Sequence, residues 1–167
     1  MFKKILIALA LCLPMSAMAQ KFGIVDADQV LQAMPETAAM TAKLQETSKK
    51  FEDEYQKLQE EVNKLYAEYQ KLAEDTTTPD AIKERRIQEI QERAQKVDQF
   101  RANASQELQK MQETEMAPIQ SKFMEAVKAV GAEGGFTFIF PNEQGLLLYT
   151  GTDVVNVTAQ IRTKLGL

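Results

Sequence analysis

Leu44, Phe51, Leu58, Leu65 and Leu72 recur every seven residues, and Tyr55, Val62 and Tyr69 each follow a member of that series by four. Alternating steps of three and four make a coiled-coil seam, so a helix is expected from Pro35-Glu36-Thr37 to about Leu72. Ile87, Ile90, Ala94, Val97, Ala104, Leu108 and Met111 repeat the spacing. Arg101 falls on this second seam and breaks it; it either marks where the hairpin opens or, the preferred reading, snorkels to water. No glycine occurs between Gly23 and Gly131, and the pattern is interrupted once, at Glu74-Asp75-Thr76-Thr77-Thr78-Pro79. Two long helices and one short break predict an antiparallel hairpin, with Thr78 as N-cap and Pro79 in the first turn of the second arm. At about 1.5 Å per residue, arms of about 37 and 50 residues would extend roughly 55 and 75 Å. Such a hairpin cannot bury its surface in a globular core of its own, which points to holding or bridging other molecules rather than to chemistry.

Outside the seam, Glu46 with Lys50, Asp53 with Lys57 and Glu60 with Lys64 place an acid four residues before a base, as on a solvated helix face. Pro118 removes a backbone donor and is expected to kink the second arm. Beyond it Ile119, Phe123, Ala126, Val127 and Val130 form a wider apolar face, suited to a core.

The two ends of the chain supply the rest. Lys21-Phe22-Gly23-Ile24-Val25 reads as a strand, and Asp26 with Gln29 as the capping pair of a short helix through Met34. Phe136, Phe138 and Phe140 alternate with Thr137 and Ile139, a second strand. Pro141-Asn142-Glu143-Gln144-Gly145 turns the chain into Leu146-Leu147-Leu148-Tyr149, expected as the third. A last helix follows Thr152, with Val154, Val157, Ile161 and Leu165 on one face. The expected fold is α+β and mainly α: a hairpin arm over 36–130 with its tip near 74–80, on a three-stranded body built from 20–35 and 131–167. Three short apolar strands leave exposed pairing edges, which further copies of the chain would cover by closing a barrel. Phe22, Ile24, Phe136, Phe138, Phe140, Leu146 and Leu148 are the expected oligomerisation contacts.

Residues 1–19 read as a signal peptide: Met1-Phe2-Lys3-Lys4 is basic, Ile5 to Leu13 is apolar, and Ala17-Met18-Ala19 is a cleavage site. The apolar run is far below the roughly 20 residues that span a bilayer, so export and release as a chain starting at Gln20 are expected. Cys12 follows Leu11, where a lipidated cysteine would want a small residue, so lipidation is not expected. Cys12 is also the only cysteine and there is no histidine, which leaves the mature chain no disulfide, thiolate or cysteine metal site. Loss of Lys3 and Lys4 leaves 18 basic residues against 24 acidic ones, a net charge of −6. That balance argues against nucleic-acid binding, which leans on phosphate neutralisation.

The signal peptide, the strand Phe22-Gly23-Ile24-Val25-Asp26, the long hairpin, the late strands and the ending Leu148-Tyr149-Thr150-Gly151-Thr152-Asp153-Val154-Val155-Asn156-Val157-Thr158 together resemble the Skp/OmpH family of periplasmic chaperones. The resemblance covers nearly all of Gln20 to Leu167. It implies a homotrimer whose strands form a central barrel and whose helical tentacles enclose an unfolded outer-membrane protein without ATP. The chain has no G-x-x-x-x-G-K-[ST] loop, and Gly131-Ala132-Glu133-Gly134-Gly135 lacks the lysine and hydroxyl such a loop needs. One departure stands out. The family's best-known members are basic, whereas this arm pair carries 15 basic and 19 acidic residues between Glu36 and Val130. This acidic balance weighs against electrostatic capture of acidic clients and leaves contact with membrane or lipopolysaccharide open. The compact basic cluster is Lys83, Arg85 and Arg86 near the tip, read mainly as a solvated helix face.

An ATP-independent periplasmic holdase for outer-membrane proteins is the leading expectation, and an exported coiled-coil scaffold bridging envelope components the alternative. Met111, Met116 and Met124 are candidate adaptable client contacts, with ordinary packing as the competing role. Catalytic, cofactor-binding and metal-ligating residues are expected to be absent. Carboxylate pairs such as Glu60-Glu61 and Asp53-Glu54 sit on helical faces among lysines, with no pocket to shift their pKa values.

Overall fold

The computed structural model describes residues 20–143 and 145–167. The expected signal peptide, Cys12 and the expected cleavage point after Ala19 lie outside the described residues. In chain order the elements are β1 (Phe22–Val25), α1 (Ala27–Ala33), α2 (Pro35–Glu74), α3 (Asp80–Gly134), β2 (Phe138–Pro141), β3 (Val155–Asn156) and α4 (Thr158–Leu165). The fold is α+β and mainly α. Two compact units divide the chain: Gln32–Ser121 is one, and the segments on either side of it form the other. Among the described residues, no helix is long and apolar enough to cross a membrane.

Within Gln32–Ser121, α2 and α3 run antiparallel. Lys43 pairs with Glu115, Phe51 meets Phe100, and Glu61 faces Arg93 at 4.0 Å, so numbers rise along one helix as they fall along the other. The expected seam residues of α2, from Leu44 to Leu72, are half-buried, and most of their neighbours are exposed. A side chain between two helices has one partner helix and otherwise water, so burial stops halfway. On α3 the seam takes a different step from the expected one. Phe100 is half-buried and its ring meets Phe51 edge-on at 6.1 Å between centroids, while Arg101 is exposed. A step of three after Val97 is as good a helical neighbour as a step of four, and the ring gains more by burial than the guanidinium. Outside the seam, Lys50 binds Glu46 at 2.7 Å as expected, but Lys57 reaches Glu54 rather than Asp53. Helix α3 is continuous through Pro118.

The other unit is organised around β1, which lies at the centre of a parallel sheet of order β2-β1-β3. The register sets Phe22 beside Phe138, Gly23 beside Ile139 and Ile24 beside Phe140. Gly23 and Val25 face the buried side, and Val30, Val157 and Ile161 complete a small core. Asp26 joins three elements. Its carboxylate accepts the Gln29 amide at 2.8 Å, capping α1, while its own amide donates to the Thr158 hydroxyl at 2.9 Å.

Three local expectations change. The second strand begins at Phe138 and not at Phe136. Gly135, at φ 63°, ends α3 in a left-handed cap, and the Phe136 amide donates back to the Gly131 carbonyl at 3.0 Å, so it is not available to a ladder. Leu146-Leu147-Leu148-Tyr149 is not a strand; the third strand is Val155–Asn156, which takes the remaining edge of β1. The last helix starts at Thr158 rather than just after Thr152. Val155 and Asn156 are paired with β1, and the Asn156 side chain accepts the Thr158 amide at 3.0 Å.

Candidate functional site: interaction surfaces

The period of two in β1 and β2 puts Phe22, Ile24, Phe138 and Phe140 on one face of the sheet. The Phe22 and Phe138 rings stack with centroids 6.2 Å apart, and Phe138 touches Phe140 at 5.8 Å. Within the chain this face is open: Phe138 is 56% exposed and Phe140 is also exposed. The opposite face is filled by Ile139, which approaches Gly131, and by Phe136, which packs beside Gly23 and Gly134. The Lys21 ammonium sits 4.2 Å from the centre of the Phe136 ring and donates to the Gly134 carbonyl, fixing that ring from above. Phe136 is therefore placed apart from Phe138 and Phe140, although the sequence groups them.

Leu146 and Leu148 lie in the irregular segment after β2, both exposed, Leu148 almost fully at 95%. Tyr149, at 86%, belongs with them and ends the same apolar run. Leu146, Leu148 and Tyr149 thus form an exposed apolar run.

At the hairpin tip the basic residues do different work. The Lys83 ammonium donates to the carbonyls of Ala73 and Asp75 at 3.2 and 2.9 Å, closing the C-terminal end of α2. Arg86 pairs with Glu89 at 2.7 Å, and Arg85 is exposed. Asp75 accepts from the Thr77 amide and hydroxyl at 2.8 and 2.7 Å and from the Thr78 hydroxyl at 2.8 Å. These bonds, the Thr77 hydroxyl foremost, with a smaller pull from the Lys83 charge, hold its carboxyl down to about 2. The Thr78 hydroxyl is thus committed to Asp75 and does not cap α3; the Pro79 carbonyl accepts the first helical amide, that of Ile82, at 2.9 Å.

Met111 and Met116 are half-buried on α3 within Gln32–Ser121, and Met124, in the other unit, is 48% exposed. Among the described residues no group of three or more His, Cys, Asp or Glu side chains is arranged to hold a metal ion.

A family model described as outer membrane protein (OmpH-like) matches residues 21–165. No curated protein matches the chain.

Proposed function

This chain belongs to the OmpH-like family, and from that premise we propose that it is an ATP-independent periplasmic holdase. Family membership supports an outer-membrane-protein chaperone function and a periplasmic or outer-membrane association, in a family that is not enzymatic. The finer reading is a homotrimer joined through the strands, whose helical arms enclose an unfolded outer-membrane protein during transit and keep it from aggregating. Such a client carries lipid-facing side chains and unpaired strand groups, and enclosure removes it from other copies of itself. Many weak contacts suit a holder of diverse clients better than one tight pocket.

The observation that carries the reading is the open aromatic face of the sheet. Phe138 and Phe140 are exposed on a strand whose outer edge has no partner among the described residues. A second copy that adds its strands there removes both the edge and the exposed rings.

Light-scattering mass, taken alone and after dilution of a urea-unfolded outer-membrane barrel into the protein without nucleotide, tests it. The expected result is a trimer that takes up the client and keeps it soluble. A stable oligomer that leaves the barrel to precipitate would replace the holdase with a scaffold serving a dedicated partner.

A further inference from the structure

Lys21 is tied down by three contacts, one residue from the expected mature terminus. Its carbonyl accepts the Thr137 amide at 2.8 Å, its ammonium donates to the Gly134 carbonyl at 3.0 Å, and the same ammonium sits 4.2 Å from the centre of the Phe136 ring. Strand β1 follows directly at Phe22. Gln20 is different. It is exposed, lies outside any helix or strand, and its side-chain carboxamide has no hydrogen-bond partner among the described residues. Cleavage after Ala19 would leave a single unanchored residue ahead of an anchored one, and that residue is a glutamine.

We propose that Gln20 of the processed chain closes on itself to a pyroglutamate lactam, a modification that removes the α-ammonium and guards Lys21 against aminopeptidases. The proposal rests on the export reading, through the cleavage expected after Ala19, and is independent of what the arms hold. The reaction is an intramolecular aminolysis. The α-amine attacks Cδ of the carboxamide on the same residue. The N–Cδ bond forms, the Cδ–Nε2 bond breaks, and Nε2 leaves as ammonia with the proton that the amine gives up. Nothing is oxidised or reduced, and no co-reactant is consumed.

An α-amine ordinarily titrates at about 7.7–8.0, so part of it is the neutral nucleophile at neutral pH. Amine and carbonyl belong to one residue and close a five-membered ring, which makes the step unimolecular. The carboxamide must turn back toward the backbone nitrogen to react, and no bond among the described residues holds it elsewhere. The lactam leaves the peptide bond to Lys21 untouched, so the three contacts at Lys21 persist. Chain termini are where proteolysis concentrates. An aminopeptidase that took Gln20 and then Lys21 would remove the acceptor of the Thr137 amide and the cation beside Phe136. Thr137 leads into β2, which pairs with β1 from Phe22 to Val25. A lactam offers such an enzyme no α-ammonium to recognise.

The test uses the full chain, expressed with residues 1–19 in place, exported, and purified without an N-terminal tag. Intact mass should equal that of Gln20–Leu167 less one ammonia in most chains. N-terminal sequencing should give no signal until pyroglutamyl aminopeptidase is added, and should then read Lys21-Phe22-Gly23; this readout excludes ammonia lost inside the spectrometer. In Gln20→Ala the amine has no carboxamide to attack. That variant should show no mass deficit, and a general aminopeptidase should trim it through Lys21 while the parent keeps its first residue. Equal resistance of the two chains overturns the protective role. A majority of parent chains that sequence directly from Gln20 overturns the lactam and leaves the export reading standing. A chain that keeps residues 1–19, or begins at another residue, overturns the cleavage and the lactam with it. Parent and Gln20→Ala should keep an unfolded barrel equally soluble, so failure of the holdase reading would show in both chains alike.

Discussion

The rings of Phe22 and Phe138 lie 6.2 Å apart and within 4° of parallel, across the one pair in the β1–β2 register where two aromatic residues stand side by side. Phe22 is half-buried by this contact, but Phe138 leaves its outer side uncovered. If that side is the subunit contact, Phe138→Glu puts a carboxylate against apolar neighbours in the oligomer and almost none of the cost falls on the free chain. The expected outcome is a mass in solution reduced to one chain with helical content retained. An unchanged mass would remove Phe138 from the interface.

The hairpin seam is tested by two adjacent residues. Phe100→Ala removes a half-buried ring and its edge-on contact with Phe51, and about 1–2 kcal/mol of stability should go with it. Arg101→Ala removes an exposed side chain and should change stability by less than about 0.5 kcal/mol. Urea unfolding of the two variants separates the seam position from its neighbour. Equal effects would restore Arg101 to the seam.

Asp75 gives a pH signature at the tip. Its folded pKa is lowered from 3.8 to about 2, so its contribution is fully present above about pH 4 and is lost as pH falls through about 2. The Asp75 carboxyl should therefore titrate near 2 by NMR, well below an ordinary aspartate. Thr77→Val deletes the largest cause and should move that midpoint upward. A midpoint that stays in place after the substitution would mean that the hydroxyl does not hold the charge.

Gly134→Ala runs against helix propensity. Alanine in a helix is ordinarily favoured over glycine by about 1 kcal/mol, yet a Cβ at Gly134 would come within 2.7 Å of Phe136 Cδ2. Moving the ring aside would also disturb its packing beside Gly23 and its contact with the Lys21 ammonium. The variant should have a lower Tm than the parent, and a Tm that rises would show the ring to be mobile.

The long helices, their antiparallel pairing, the break after Glu74 and the half-buried seam were legible in the sequence because a helix repeats its information every three to four residues. Forty residues of α2 state the same period many times over. The capping of α1 by Asp26 was legible for a similar reason: cap and capped amide are three residues apart. The short strands carry no such redundancy. Leu146-Leu147-Leu148-Tyr149 is more apolar than Val155–Asn156, but apolarity does not choose a ladder partner, and β1 has only two edges. Which segment takes an edge depends on where α3 ends, on the Gly135 cap that consumes the Phe136 amide, and on Thr158 meeting Asp26 across 132 residues. The same holds at the tip and on the seam. Lys83, grouped by sequence with Arg85 and Arg86, closes the end of α2, and Phe100 displaces Arg101, because both choices are decided by atoms on the opposite helix. Local periodicity thus determined the elements; contacts between residues far apart in the chain determined which of several equally good local neighbours each side chain took.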